Sequence, residues 1–164
     1  MISIKIKDTK NFMNKLLINN TFDFFNVLDV NLSTFCSFSI NGHLHKSFYT
    51  EEELDELSLS DYVGWSQIKP ICFNLIKGNK TPELLKITLV LPRKNYESCI
   101  KTCGALLFPD NISGLYLHLN YENGEITAIT GTSLNIFTMD KSLDRYWDDT
   151  INTFLNKHFD IEVL

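Results

Sequence analysis

The chain has 164 residues, 44% of them hydrophobic and 21% charged, with a formal net charge of -5. That length carries a single compact core, the acidic balance argues against generic adhesion to nucleic acid or anionic membranes, and no apolar run approaches the ~18 to 20 residues that span a bilayer. Cys36, Cys72, Cys99 and Cys103 are scattered through patterned segments, and no basic-then-apolar signal segment opens the sequence, so buried thiols in a cytoplasmic protein are expected.

Ile2, Ile4 and Ile6 alternate with polar residues, the pattern of a half-buried strand. Asp8 or Thr9 then offers an N-cap, and Phe12, Met13, Leu16 and Leu17 recur at helical spacing until Asn19-Asn20. From Phe24 to Ile40 the chain is β-like but long for one strand, which predicts a bulge or break near 33–37. Asn41-Gly42 reads as a type I′ hairpin turn, with His43 to Tyr49 as the return strand. Thr50 with Glu53 forms a capping box that opens a short acidic helix. Residues 65–78 match both a helix face and a strand; helix is favoured, with Pro70 in its first turn and Gly78 closing it.

Leu85, Ile87, Leu89 and Leu91 alternate strictly until Pro92 stops the strand. A helix follows through Tyr96, Cys99, Ile100 and Cys103, ended by Gly104. Leu115, Leu117 and Leu119 then alternate into a second Asn-Gly turn, Asn123-Gly124, with a bulge or bend expected at Gly131 and Ser133. Asp140 caps a last helix with a wide apolar stripe: Leu143, Tyr146, Trp147, Ile151, Phe154 and Leu155. The whole reads as one α+β domain, 1–164, of two β-α-β-β passages in a pseudo-duplicated arrangement, with halves near 1–82 and 83–164 and a C-terminal amphipathic helix.

Chemistry-bearing patterns are sparse. Cys99 and Cys103 share a helix face and His43 and His45 alternate nearby in the first half. The spacing is not that of a zinc knuckle, so core-facing thiols are expected and no metal or cofactor is called. Gly131-Thr132-Ser133 offers hydroxyls without a nucleophile elbow. Lys77-Gly78-Asn79-Lys80-Thr81 resembles the end of a P-loop but lacks its first glycine and follows a helix instead of opening one. The acids Glu51, Glu52, Glu53, Asp55, Glu56 and Asp61 lack the alternating oxygens and central glycine of a calcium loop.

Charge is nevertheless segregated. The helix after the first strand of each half is basic, with Lys10 and Lys15 in one and Arg93, Lys94 and Lys101 in the other. Side by side on a pseudo-two-fold, such helices follow a plan similar to that of sliding-clamp domains, where they face DNA; this analogy of architecture makes those five cations candidates for nucleic-acid contact. Should the chain instead hold a small molecule, Lys77, Lys80, Thr132 and Ser133 are the candidate ligand-binding residues, with Asp140 and Lys141 beside them at element ends.

Several segments resemble an uncharacterised family of unknown function. They are Phe48-Tyr49-Thr50-Glu51-Glu52-Glu53-Leu54, Lys69-Pro70-Ile71-Cys72-Phe73, Leu75-Ile76-Lys77-Gly78 with Thr81-Pro82, and Thr130-Gly131-Thr132-Ser133 followed by Phe137-Thr138-Met139-Asp140-Lys141-Ser142-Leu143. The resemblance points to a stand-alone domain of anaerobic, low-GC Gram-positive bacteria, and it brings no activity and no site residues. The expectation is therefore a non-catalytic cytoplasmic protein that binds a protein partner or self-associates, with clamp-like nucleic-acid association and a small-molecule enzyme as the alternatives, and with no membrane partner.

Overall fold

A computed structural model describes residues 1–57, 60–78 and 80–164. Asn79, within the P-loop-like segment, lies outside the described residues. Among those described, seven strands form one antiparallel sheet: β1 (Ser3–Ile6), β2 (Asn26–Ser33), β3 (Ser37–Asn41), β4 (Leu84–Val90), β5 (Ile112–Glu122), β6 (Glu125–Leu134) and β7 (Ile161–Val163). Their order is β3-β2-β4-β5-β6-β1-β7. The helices are α1 (Thr9–Leu17), α2 (Glu51–Leu57), α3 (Trp65–Ile76), α4 (Tyr96–Cys103) and α5 (Ser142–His158). The α+β class and the C-terminal helix are as the sequence predicts.

Strand alternation decides the layers. Leu85, Ile87 and Leu89 pair with Tyr121, Leu119 and Leu117, which pair in turn with Ile126, Ala128 and Thr130; Ile6 and Ile4 continue the row. All these side chains point to one face and are buried. The helices cover that face. Phe12 and Leu16 of α1 lie among Leu85, Ile87, Leu119 and Ile126, while α5 brings down Leu143, Trp147, Ile151 and Leu155 at helical spacing. Phe12, Phe22, Phe25, Phe154, Phe159 and Trp147 interlock between them, mostly edge-on or tilted, with Phe22 stacked against Phe25 and Phe159. Trp147 Nε1–H donates to the Tyr116 carbonyl at 2.8 Å, and Trp65 Nε1–H to the Leu16 carbonyl at 3.0 Å.

Local signals account for most element ends. The Asp8 carboxylate accepts from the Asn11 N–H at 3.0 Å and starts α1. Thr50 and Glu53 make the reciprocal capping box of α2, at 2.8 and 3.2 Å. Gly104 ends α4 with φ of 70°. Asp140 accepts from the Ser142 N–H at 2.9 Å as α5 begins. Asn123 and Gly124, at φ of 53° and 79°, turn β5 into β6 with both central residues left-handed.

Four expectations are corrected. Asn41-Gly42 is not a turn: the hairpin between β2 and β3 closes at 34–36, inside the long β-like segment. Gly42 is glycine for space instead, since a Cβ there would lie 1.9 Å from the Val27 carbonyl oxygen. Its N–H donates to the Leu28 carbonyl at 2.8 Å, and its own carbonyl accepts from Val63 at 2.9 Å. His43 to Tyr49 is not a return strand but runs into a 3-10 turn, Lys46–Phe48, with His43 making an isolated bridge to Tyr62. Residues 65–76 are helical, but the helix begins at Trp65, which puts Pro70 in its interior and not in its first turn. The bulge expected at Gly131 and Ser133 falls on the facing strand, where register shifts between Ile112 and Gly114.

The strand-helix-strand-strand order does occur twice, as β1-α1-β2-β3 and β4-α4-β5-β6. Pairing differs between them. β4 is bonded directly to β5, whereas β1 is separated from β2 by three strands and lies between β6 and β7.

The other sheet face is open and polar, carrying Lys5, Lys86, Thr88, His118 and Thr127. The His118 ring lies over Gly131, with Nδ1 3.2 Å from the Thr88 hydroxyl. Desolvation holds its pKa below the usual 6.5, against a smaller opposing pull from Asp29. His158 is also lowered, by desolvation first and then by Lys15 and Lys157. A histidine neutral in the native chain but protonated in the unfolded one makes stability fall as pH drops through 6.5, levelling once the native ring protonates. Urea midpoints between about pH 7 and 5 are expected to decline less steeply in His118→Gln than in the parent chain. An unchanged slope would show that the ring is not desolvated.

Candidate binding groove

The helix layer does not close over the sheet everywhere. α1 buries Phe12, Leu16 and Leu17 against the strands, which leaves Lys10, Met13, Asn14 and Ile18 on its outer side. α3 is held beside it at its N-terminal end. Besides the Trp65 bond, the Lys69 ammonium donates to the Asn19 carbonyl at 3.0 Å and to the Asp23 carboxylate at 2.7 Å. The C-terminal end of α3, the segment before β4 and the outer side of α1 leave a groove of about 920 Å³ between them. Its floor is apolar: Met13 and Leu17 from α1, Ile76 from α3, the buried Pro82, and Tyr121 from β5.

Three lysines line this groove: Lys10 in the first turn of α1, Lys77 at the end of α3, and Lys80 on the way to β4. None of them is in an ion pair among the described residues. Asp8 is the one acid on the lining among the described residues, and its carboxylate accepts from the Asn11 N–H of α1. An apolar floor with unpaired cations around it can hold an apolar group and fix the anion attached to it.

The sequence candidates therefore divide. Lys77 and Lys80 of the ligand set come together with Lys10 of the nucleic-acid set. Thr132 points to the helix side, where its hydroxyl donates to Asp144 just as Thr130 donates to Asp148. Ser133 is paired across from Gly114, at the opposite end of the sheet from the groove. Lys15 donates to the His158 carbonyl at 3.0 Å and lies over the Phe159 ring at 5.2 Å. Arg93 is paired with Asp110, and Lys101 with Glu97 at 3.3 Å; Lys94 is exposed beside Arg93. α1 packs beside α3, and α4 beside α5, so the two basic helices are not neighbours. Cys99 is buried, its thiol pKa raised chiefly by that burial, while His43 and His45 lie exposed on another element. Sequence reading missed Met13, Leu17, Ile76 and Pro82 as a floor; Met13 and Leu17 had registered only as core positions.

At the far end of the sheet, two loops show a second feature. Leu106, Phe108, Phe137 and Met139 are all strongly exposed. The loops are tied by the Asn135 N–H to the Asn111 carbonyl at 2.9 Å and by Asn135 Nδ2–H to the Asp110 carbonyl at 2.6 Å.

The molecule is thus a single-sheet α+β protein with a groove between its first and third helices. A family model described as a family of unknown function matches residues 15–162, and the chain belongs to that family, DUF5721. Searches of curated proteins and of solved structures return no match. No helix among the described residues is long and apolar enough to cross a membrane.

Proposed function

We propose that this protein is a non-catalytic binding module of the bacterial cytoplasm whose α1–α3 groove takes an acidic segment anchored by a bulky apolar side chain. The observation that supports the reading is the meeting of Lys10 with Lys77 and Lys80, which lie far along the chain from it, around one apolar floor. An open groove between two helices suits the way amphipathic segments dock, with apolar anchors below and charges at the rim. Among the described lining residues, no acid is paired with a base in the manner of a hydrolytic site.

The chain has three methionines, and two of them are built-in reporters. Met13 lines the groove and Met139 sits on the exposed loops at the other end. On titration with anilinonaphthalene sulfonate, an aromatic anion, the Met13 methyl resonance is expected to move and that of Met139 to stay. The double reversal Lys10→Glu/Lys80→Glu is expected to weaken this binding about tenfold, a change of ~1.4 kcal/mol. A probe that moves Met139 alone, or binds the reversed variant equally well, overturns the reading. So does a single-stranded oligonucleotide whose binding depends on Arg93 and Lys101 and leaves Met13 unmoved.

A further inference from the structure

The chain itself carries a segment of the chemistry the groove requires. Phe48, at the end of the 3-10 turn, is 84% exposed. It is followed at once by α2, whose acids Glu51, Glu52, Glu53, Asp55 and Glu56 are exposed and accompanied by no cation. Glu53 is engaged in the capping box. Glu52, Asp55 and Glu56 stand at i, i+3 and i+4, on one face of the helix, where like charges repel. No ion pair among the described residues relieves them.

Within one chain the acidic segment and the basic groove are anchored at opposite ends of β2. The groove lies where β4 begins, at the Ser33 end of β2, and the segment hangs from the bridges of Gly64 and Tyr62 at the Asn26 end. Eight residues of strand, roughly 23 Å, separate the two ends. We infer that Phe48 and the acidic face of α2 dock into the groove of a second copy of this chain. Phe48 enters the apolar floor, and Glu52, Asp55 and Glu56 meet Lys10, Lys77 and Lys80. The two surfaces are different patches at opposite ends, so a docked copy still presents an open groove and association is head to tail. This inference rests on the groove reading above.

Sedimentation velocity on the full chain tests it at about 0.01 M and 1 M salt, where the screening length falls from ~30 to ~3 Å. The average mass is expected to exceed the monomer and rise with concentration at low salt, and to return to the monomer at high salt. Phe48→Ala, Glu52→Lys/Glu56→Lys and Lys10→Glu/Lys80→Glu are each expected to weaken association at least tenfold. All are exposed positions that leave the core intact. Mixing the last two variants restores complementary charge and is expected to restore association. A chain that stays monomeric at low salt, while anilinonaphthalene sulfonate still shifts Met13, overturns self-docking and leaves the groove reading standing. A silent Met13 removes both. Association that survives Phe48→Ala but is lost in Leu106→Ser/Phe137→Ser assigns the contact to the exposed loops and overturns the inference.

Discussion

Trp147→Ala is expected to destabilise the chain by about 4 kcal/mol, at the high end for a single truncation. Trp147 is 1% exposed and occupies the middle of the apolar stripe of α5. Its ring meets Phe25 edge-on at 6.5 Å, and its indole N–H satisfies the Tyr116 carbonyl on β5. Truncation removes a large area of apolar burial and leaves a cavity that the close-packed aromatic cluster cannot collapse to fill. It also leaves the Tyr116 carbonyl without its indole donor, worth a further ~1 kcal/mol. Domains of this kind have a total stability of only about 5 to 15 kcal/mol. A midpoint shift in urea corresponding to less than ~2 kcal/mol would mean that α5 is not seated as described. Trp147→Phe, which keeps most of the packing and loses the hydrogen bond, is expected to cost markedly less.

Gly42→Ala is the second. An added methyl meets backbone, with the Val27 carbonyl oxygen at 1.9 Å and its carbon at 2.8 Å, so no rotamer change relieves the clash. Either β2 moves at its bulge, where register shifts between Val27 and Asp29, or the Gly42 to Leu28 bond is lost. The expected cost is about 3 kcal/mol, at the upper end for overpacking because the obstacle is main chain. Gly64→Ala supplies the control. It lies in the neighbouring segment, but its nearest atom is the Ser66 hydroxyl oxygen at 3.5 Å, an ordinary contact. Its expected change is within ~0.5 kcal/mol. Equal effects at the two glycines would show that the close approach at Gly42 is not real.

The same residue shows why half of this fold was readable and half was not. At Asn123-Gly124 the turn is a property of four consecutive residues, and the dipeptide suffices. At Asn41-Gly42 the requirement comes from Val27 and Leu28, fifteen or so positions earlier, and from the segment ending at Gly64. No local pattern records such an approach. Strand β1, helices α1 and α4, and the stripe of α5 were legible because their amphipathic period is local. β7 was missed, being three residues long and defined by its pairing with β1.

The site divides along the same line. Lys77 and Lys80 stood out because two cations flank a helix-ending glycine, but Lys10 joins them only through the packing of α1 on α3. Thr132 had a signal that went unread. It keeps the phase of Ile126, Ala128 and Thr130, the buried parity of β6, so its hydroxyl had to face the helices and not a ligand.

The position of β1 also constrains how the protein is made. The strand sits between β6 and β7, with Ser3 opposite Ile129 and Ile4 opposite Val163. During synthesis β1 leaves the ribosome more than a hundred residues ahead of either partner, so it has no edge to join until β6 has emerged. The middle of the sheet, β2 to β6, can assemble earlier on the neighbouring pairs of β2 with β3 and β5 with β6. Joining β1 is then a late, long-range step that ties it to β6 and β7 together.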